Sequence, residues 1–171
     1  MPCFVSATEE LIEVRWDTGR EWKATASGLT WKTLSDAPLP AESPRKRRLQ
    51  CRRIAERFSA TLIEAASRDS QEMRRLPRPI CELTDADETY YLGAVFGLTA
   101  NGTNPDVLLL LETHPDTTKP GWRYAFTRMT NGGVSAREGE NNVWSVEPVP
   151  TTKASFPEWL FFDEPRMVTE R

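Results

Sequence analysis

Residues 43–68 read SPRKRRLQCRRIAERFSATLIEAASR, and the way this stretch folds decides how the rest of the chain is assembled around it. Ser43 suits a helix N-cap and Pro44 the first helical position, where its missing N–H removes no hydrogen bond. From there Cys51, Ile54, Ala55, Phe58, Leu62 and Ala65 fall within an arc of roughly 100° at the helical period of about 100° per residue. The spacing predicts one long amphipathic helix running from Pro44 to Ala66 or Arg68. It could extend toward Arg75 before Pro77 and Pro79 stop it. Arg45, Arg48, Arg52, Arg53 and Arg57 lie mostly on the opposite side, which is basic.

The same stretch carries an unusual charge. Between Ser43 and Arg78 there are 11 Lys and Arg against 4 Asp and Glu, a net of +7, while the whole chain sums to −3. A basic strip on an acidic protein needs an anionic counterpart, in the fold or on a partner. Arg45, Lys46, Arg47 and Arg48 occupy the first turn, where the macrodipole is already positive, so each is unfavourable by a few tenths of a kcal/mol unless an anion is near. The acidic stretch Glu82, Asp85, Asp87 and Glu88 is one such anion source. A carboxylate-bearing partner, phosphate or nucleic acid are the others.

Upstream, Asp36 to Pro44 is a proline-rich connector. Before it, Ile12, Val14 and Trp16 alternate onto one face, as do Trp22, Ala24 and Ala26, so Leu11–Ala26 reads as a hairpin around Asp17-Thr18-Gly19. Pairing Val14 with Trp22 sets Arg15 against Glu21 and Glu13 against Lys23, so both faces agree on one register. A further strand is expected around Leu29 to Leu34. Downstream, Tyr90, Leu92, Ala94, Phe96 and Leu98 share one strand face, with Tyr91, Gly93, Val95 and Gly97 on the other. Val107 to Leu111 is apolar throughout, as in a central strand covered on both faces. Trp122, Tyr124 and Phe126 alternate with polar or small residues. Asn131-Gly132-Gly133 reads as a hairpin turn into Val134–Arg137, and Val143–Glu147 as a last strand.

At 171 residues, with 39% apolar and 27% charged positions, the chain has the composition of a single globular domain, with residues 1–9 and 163–171 as loose ends. Cys3, Cys51 and Cys81 are odd in number and widely spaced, fitting neither a disulfide framework nor a zinc site. The start lacks a signal-peptide pattern and no apolar run approaches a membrane span, so we expect a cytoplasmic protein without a membrane partner. No cofactor motif is present.

Two further constellations carry chemistry. Glu112, His114 and Asp116 alternate near the end of a strand, a common place for catalytic groups. His114 is the only histidine, and no serine or cysteine stands in a nucleophile motif, so catalysis stands only as an alternative and a metal site is not expected. The segment FPEWLFF, residues 156–162, gathers large apolar side chains, with Phe156, Trp159, Phe161 and Phe162 as anchors that must dock on their own domain, on a partner or on a second copy.

The expected fold is α+β: a single antiparallel sheet of about five to seven strands with one long amphipathic helix across a face. The expected function is a non-catalytic accessory module binding an acidic protein surface through Arg45, Lys46, Arg48, Arg52, Arg53 and Arg57. The alternatives are a small-ligand domain with a pocket between helix and the Gly93/Gly97 face, an anion or nucleic-acid binder, and an enzyme using His114.

Overall fold

The computed structural model describes residues 3–5, 13–15, 21–64, 67, 69–85, 91–114, 120–149 and 159–161. Strands β1 (Cys3–Val5), β2 (Glu13–Arg15), β3 (Glu21–Lys23) and β4 (Lys32–Leu34) precede a helix, α1 (Pro44–Ala55). Then follow β5 (Phe58–Ile63), β6 (Ser70–Arg75), β7 (Cys81–Thr84), β8 (Tyr91–Thr99), β9 (Val107–Thr113), β10 (Trp122–Arg128), β11 (Gly133–Glu138), β12 (Asn141–Val146) and β13 (Trp159–Phe161). The chain divides into two compact units, residues 30–150 and residues 1–29 with 151–171.

This is not the α+β fold expected. Residues 30–150 form one nine-stranded antiparallel sheet in the order β12-β11-β5-β6-β8-β9-β10-β4, with β7 added on β8, and a helix of 12 residues in place of the long one. The second half of the expected helix is β5. Phe58 and Leu62 fit a helical stripe and a strand face equally well. Ser59, Thr61 and Ile63 decide for the strand, because two β-branched residues on its other side favour extended backbone. As a strand, β5 is laddered on both edges, to β11 from Phe58 to Ile63 and to β6 from Ala60 to Ile63. The helix ends in a tight turn in which the Glu56 N–H donates to Arg52 O and the Arg57 N–H to Ile54 O.

Two other local expectations change. Asn131-Gly132-Gly133 is not a hairpin turn, because β10 is flanked by β9 and β4 and β11 by β12 and β5. Gly133 serves close packing instead: a Cβ there would lie 2.8 Å from Pro148 Cδ. The tight hairpin joins β11 to β12 through Gly139, at φ +56°, a left-handed conformation that glycine adopts without strain. Tyr91 also changes face. A register irregularity between Leu83 and Thr84, where β7 runs along β8, puts Tyr91 into the core with Ala94, Phe96 and Leu98.

The sheet curls around its apolar face. Phe58 on β5 lies 4.9 Å from the Tyr124 ring on β10, and Phe126 on β10 stacks at 5.7 Å on Trp144 of β12, although β10 has no ladder to either strand. The two ends of the sheet meet through a side chain: Lys32 Nζ on β4 donates to the Val143 carbonyl on β12. α1 packs on β8 and β9 on this same inner face, adding Cys51, Ile54 and Ala55 to the core.

On the far side of β8, β6 and β7 form one broken line. Arg75 pairs with Leu98 and Cys81 with Val95, a register advance of three residues taken up by Pro77-Arg78-Pro79. Prolines cannot donate to a ladder, so the chain steps out there and rejoins through the Ile80 N–H to Val95 O at 2.7 Å. Gly97 permits this step: a Cβ would meet Leu76, Pro105 and Ile80 side chains at 2.9–3.1 Å.

In the other unit, β2 and β3 pair in the register expected, Val14 with Trp22, Glu13 with Lys23 and Arg15 with Glu21, and Arg15 bonds Glu13 at 2.6 Å. The guanidinium holds the Glu13 carboxyl below its ordinary range. Ile12, Trp16 and the Asp17-Thr18-Gly19 turn lie outside the described residues. β1 pairs antiparallel with β13, Phe4 opposite Leu160.

Candidate interaction surface

The basic stretch is sorted by α1 into three sets. Ser43 takes the N-cap position, although its side chain makes no capping bond. Arg47, Cys51, Ile54 and Ala55 form the buried stripe at the spacing i, i+4, i+7, i+8. Arg47 is fully buried, and its guanidinium donates to Ala41 O at 2.8 Å, Tyr91 O at 2.7 Å and Glu42 O at 3.0 Å. Those carbonyls supply the negative partial charge that the first turn lacks.

The second set is paired. Arg48 meets Glu82 at 2.8 Å and lies over the Tyr91 ring at 5.0 Å. Arg57, beyond the end of the helix, bonds Glu138 and donates to Asp36 O. Both therefore spend their charge inside the fold.

The third set is open to solvent. Arg45, Lys46, Leu49, Arg52 and Arg53 occupy the exposed arc of α1, with Leu49 at its centre and a pair of cations on either side. None of these four cations forms an ion pair with a described residue. The large apolar side chains exposed among the described residues are Leu39 at 66%, Leu49 at 51% and Ile80 at 50%. Leu49 lies within this arc, and Leu39 and Ile80 border it. Gln50 holds Leu39 to one flank of the helix through Leu39 O at 3.0 Å, and Ile80 shares a surface depression with Arg52 on the other. The acidic cluster weighed as a counterpart contributes Glu82, while Asp87 and Glu88 lie outside the described residues.

Burial pushes the Cys51 thiol up to about 11, partly offset by the Tyr91 side chain bonded to it. A thiol held protonated in the fold stabilises it fully below pH 9.0, the unperturbed value, and that contribution is lost as pH rises toward 11. We expect a thiol reagent at neutral pH to modify exposed Cys81 and to spare Cys51 until the protein is denatured, read by peptide mass. Alkaline loss of stability should be shallower in Cys51→Ala. Rapid modification of Cys51 in the folded protein contradicts this.

The strand-end constellation is described in part. Glu112 lies opposite Arg123 in the ladder and accepts from its Nε at 2.7 Å, while the guanidinium stacks over Trp31 at 4.2 Å from the ring centre. His114 donates its backbone N–H to Gly121 O, closing the end of the β9–β10 hairpin. Asp116 lies outside the described residues. Among the described residues no three of His, Cys, Asp and Glu gather closely enough to hold a metal ion. The Gly97 face expected to border a ligand pocket is covered by Leu76, Ile80 and Pro105, and α1 lies on the opposite face. Of the aromatic tail, Trp159 and Phe161 lie on β13, paired with β1, and Phe156 and Phe162 lie outside the described residues.

Sequence reasoning grouped Arg47 with its basic neighbours. Its spacing from Cys51 and Ile54 was the signal that it turns inward. No helix among the described residues is long and apolar enough to cross a membrane. Compared with family models, curated proteins and solved structures, the chain shows no significant match.

Proposed function

We propose that this chain is a non-catalytic binding module that recognises an acidic protein surface through the exposed arc of α1. The observation that carries the reading is the coincidence of exposed Arg45, Lys46, Arg52 and Arg53, which form no ion pair with a described residue, with exposed Leu39, Leu49 and Ile80. Apolar anchors ringed by charge are the anatomy of a protein interface. A nucleic-acid backbone would use the cations and leave the leucines in water, and the net charge of −3 would repel a long polyanion beyond the patch. Free Cys51 and Cys81 accord with a reducing compartment such as the cytoplasm.

The test is fluorescence anisotropy with a labelled peptide of Glu-Glu-Leu repeats, an all-Glu peptide of equal length and a duplex DNA. The Glu-Glu-Leu peptide should bind tightest. The Arg45→Glu/Lys46→Glu/Arg53→Glu variant should weaken it by about tenfold or more, with an unchanged melting curve, since each exposed charge contact contributes up to about 1 kcal/mol. Leu49→Ser should remove the preference for the leucine-bearing peptide. Preferential binding of DNA, or affinity unmoved by the triple reversal, overturns the reading.

A further inference from the structure

Where the Pro77-Arg78-Pro79 step rejoins the sheet, a depression of about 520 Å3 opens, lined by Arg52 of α1 and by residues 77–82. It adjoins β7, which among the described strands is laddered to β8 on one edge only. The other edge offers N–H and C=O groups at strand spacing, a template that water or another strand must satisfy. Glu82 stands opposite Ala94, an inner-face residue, so its side chain rises toward α1 and meets Arg48. Arg45, Arg48 and Arg52, spaced i, i+3 and i+7, line that flank of the helix. A strip of backbone that no described strand ladders therefore runs beside a cationic wall, with Arg78 and half-exposed Ile80 at one end.

We propose that this strip takes an extended acidic segment of a partner protein, added to β7 as a further strand with its carboxylates toward Arg52 and Arg78. The inference rests on the acidic-surface reading above and gives it a geometry. The occupant follows from chemistry. Backbone groups at strand spacing are matched by another peptide backbone, which a nucleic acid does not possess. Arg48 is already neutralised by Glu82, whereas Arg52 and Arg78 form no ion pair with a described residue, so the incoming segment brings the missing carboxylates. Alternation does the rest: on a strand, residues facing one side of the sheet also direct their N–H groups to one edge.

That coupling supplies the experiment. The full-length protein is titrated with a labelled peptide of alternating Glu and Thr, and with two versions N-methylated at every Glu or at every Thr. If the peptide adds as a strand, one methylated version loses binding by about tenfold or more, because the N–H groups facing β7 are gone. The other keeps affinity within about threefold. Arg52→Glu/Arg78→Glu should weaken the parent peptide by about tenfold. Equal binding of both methylated versions, loss of both, or no binding of the parent overturns the strand addition. In each of those cases the broader reading is judged separately, by the Glu-Glu-Leu peptide with Lys46→Glu/Arg53→Glu, whose positions lie on the far side of Leu49 from β7 and the depression.

Discussion

Arg47→Met should lower stability by about 3–5 kcal/mol, read as a fall in the urea midpoint at unchanged slope. Methionine keeps most of the buried volume and removes the charge with its donors, so the loss includes the hydrogen bonds to Ala41 O, Glu42 O and Tyr91 O. A carbonyl left buried without a donor costs about 1–3 kcal/mol, and these acceptors lose their donor together. Arg47→Lys should fare no better. Its ammonium keeps the charge but lacks the planar fork that reaches toward residues 41–42 and toward β8 at once. A typical domain is stable by about 5–15 kcal/mol, so either variant should consume a large share of what holds α1 to the sheet. A loss below about 1 kcal/mol in the methionine variant would show that the clasp is dispensable.

Gly93→Ala is the second large effect. A Cβ at Gly93 would stand 2.1 Å from Leu111 O and 2.6 Å from Glu112 Cα, both backbone atoms of the neighbouring strand. A side chain can turn away, but a laddered backbone cannot without parting β8 from β9, where Gly93 pairs with Glu112. We expect a loss of about 3 kcal/mol or more. Gly97→Ala is the control on the same strand face. Its neighbours are side-chain atoms of Leu76, Pro105 and Ile80, which can shift, so its loss should be about 1 kcal/mol. Thermal melts of both variants, compared side by side, check the order, and a reversed order contradicts the geometry.

The readable parts of the fold are those where two independent patterns agree. The β2–β3 register is legible because the apolar and charged faces both demand Val14 opposite Trp22. The alternation of Ala94, Phe96 and Leu98 on β8 and of Trp122, Tyr124 and Phe126 on β10 also holds inside the sheet. The boundary between α1 and β5 was not legible, because Phe58 and Leu62 satisfy both periods. What resolves it is a partner on each edge of β5, supplied by β6 and by β11, more than 70 residues further on. Tertiary pairing of that kind leaves no trace in a local window. The candidate surface was half legible. The charge excess marked the helix, but the division of its arginines into buried, paired and open sets depends on Tyr91, Glu82 and Glu138, which are remote in sequence.

The order of strands also sets an order of events. β4 is made early, yet its ladder partner is β10, and the Lys32 contact that joins the sheet's ends spans 111 residues. β1 pairs with β13. On a ribosome that releases about 5–20 residues per second, β4 must therefore wait several seconds for its neighbour. During that interval β5, β6, β7, β8 and β9 can ladder to one another, while β4 still has no partner. The curl is therefore closed late, when β4 gains its ladder from β10 and its Lys32 contact from β12. Non-local pairing of this kind folds slowly, on the scale of about milliseconds to seconds once synthesis is complete.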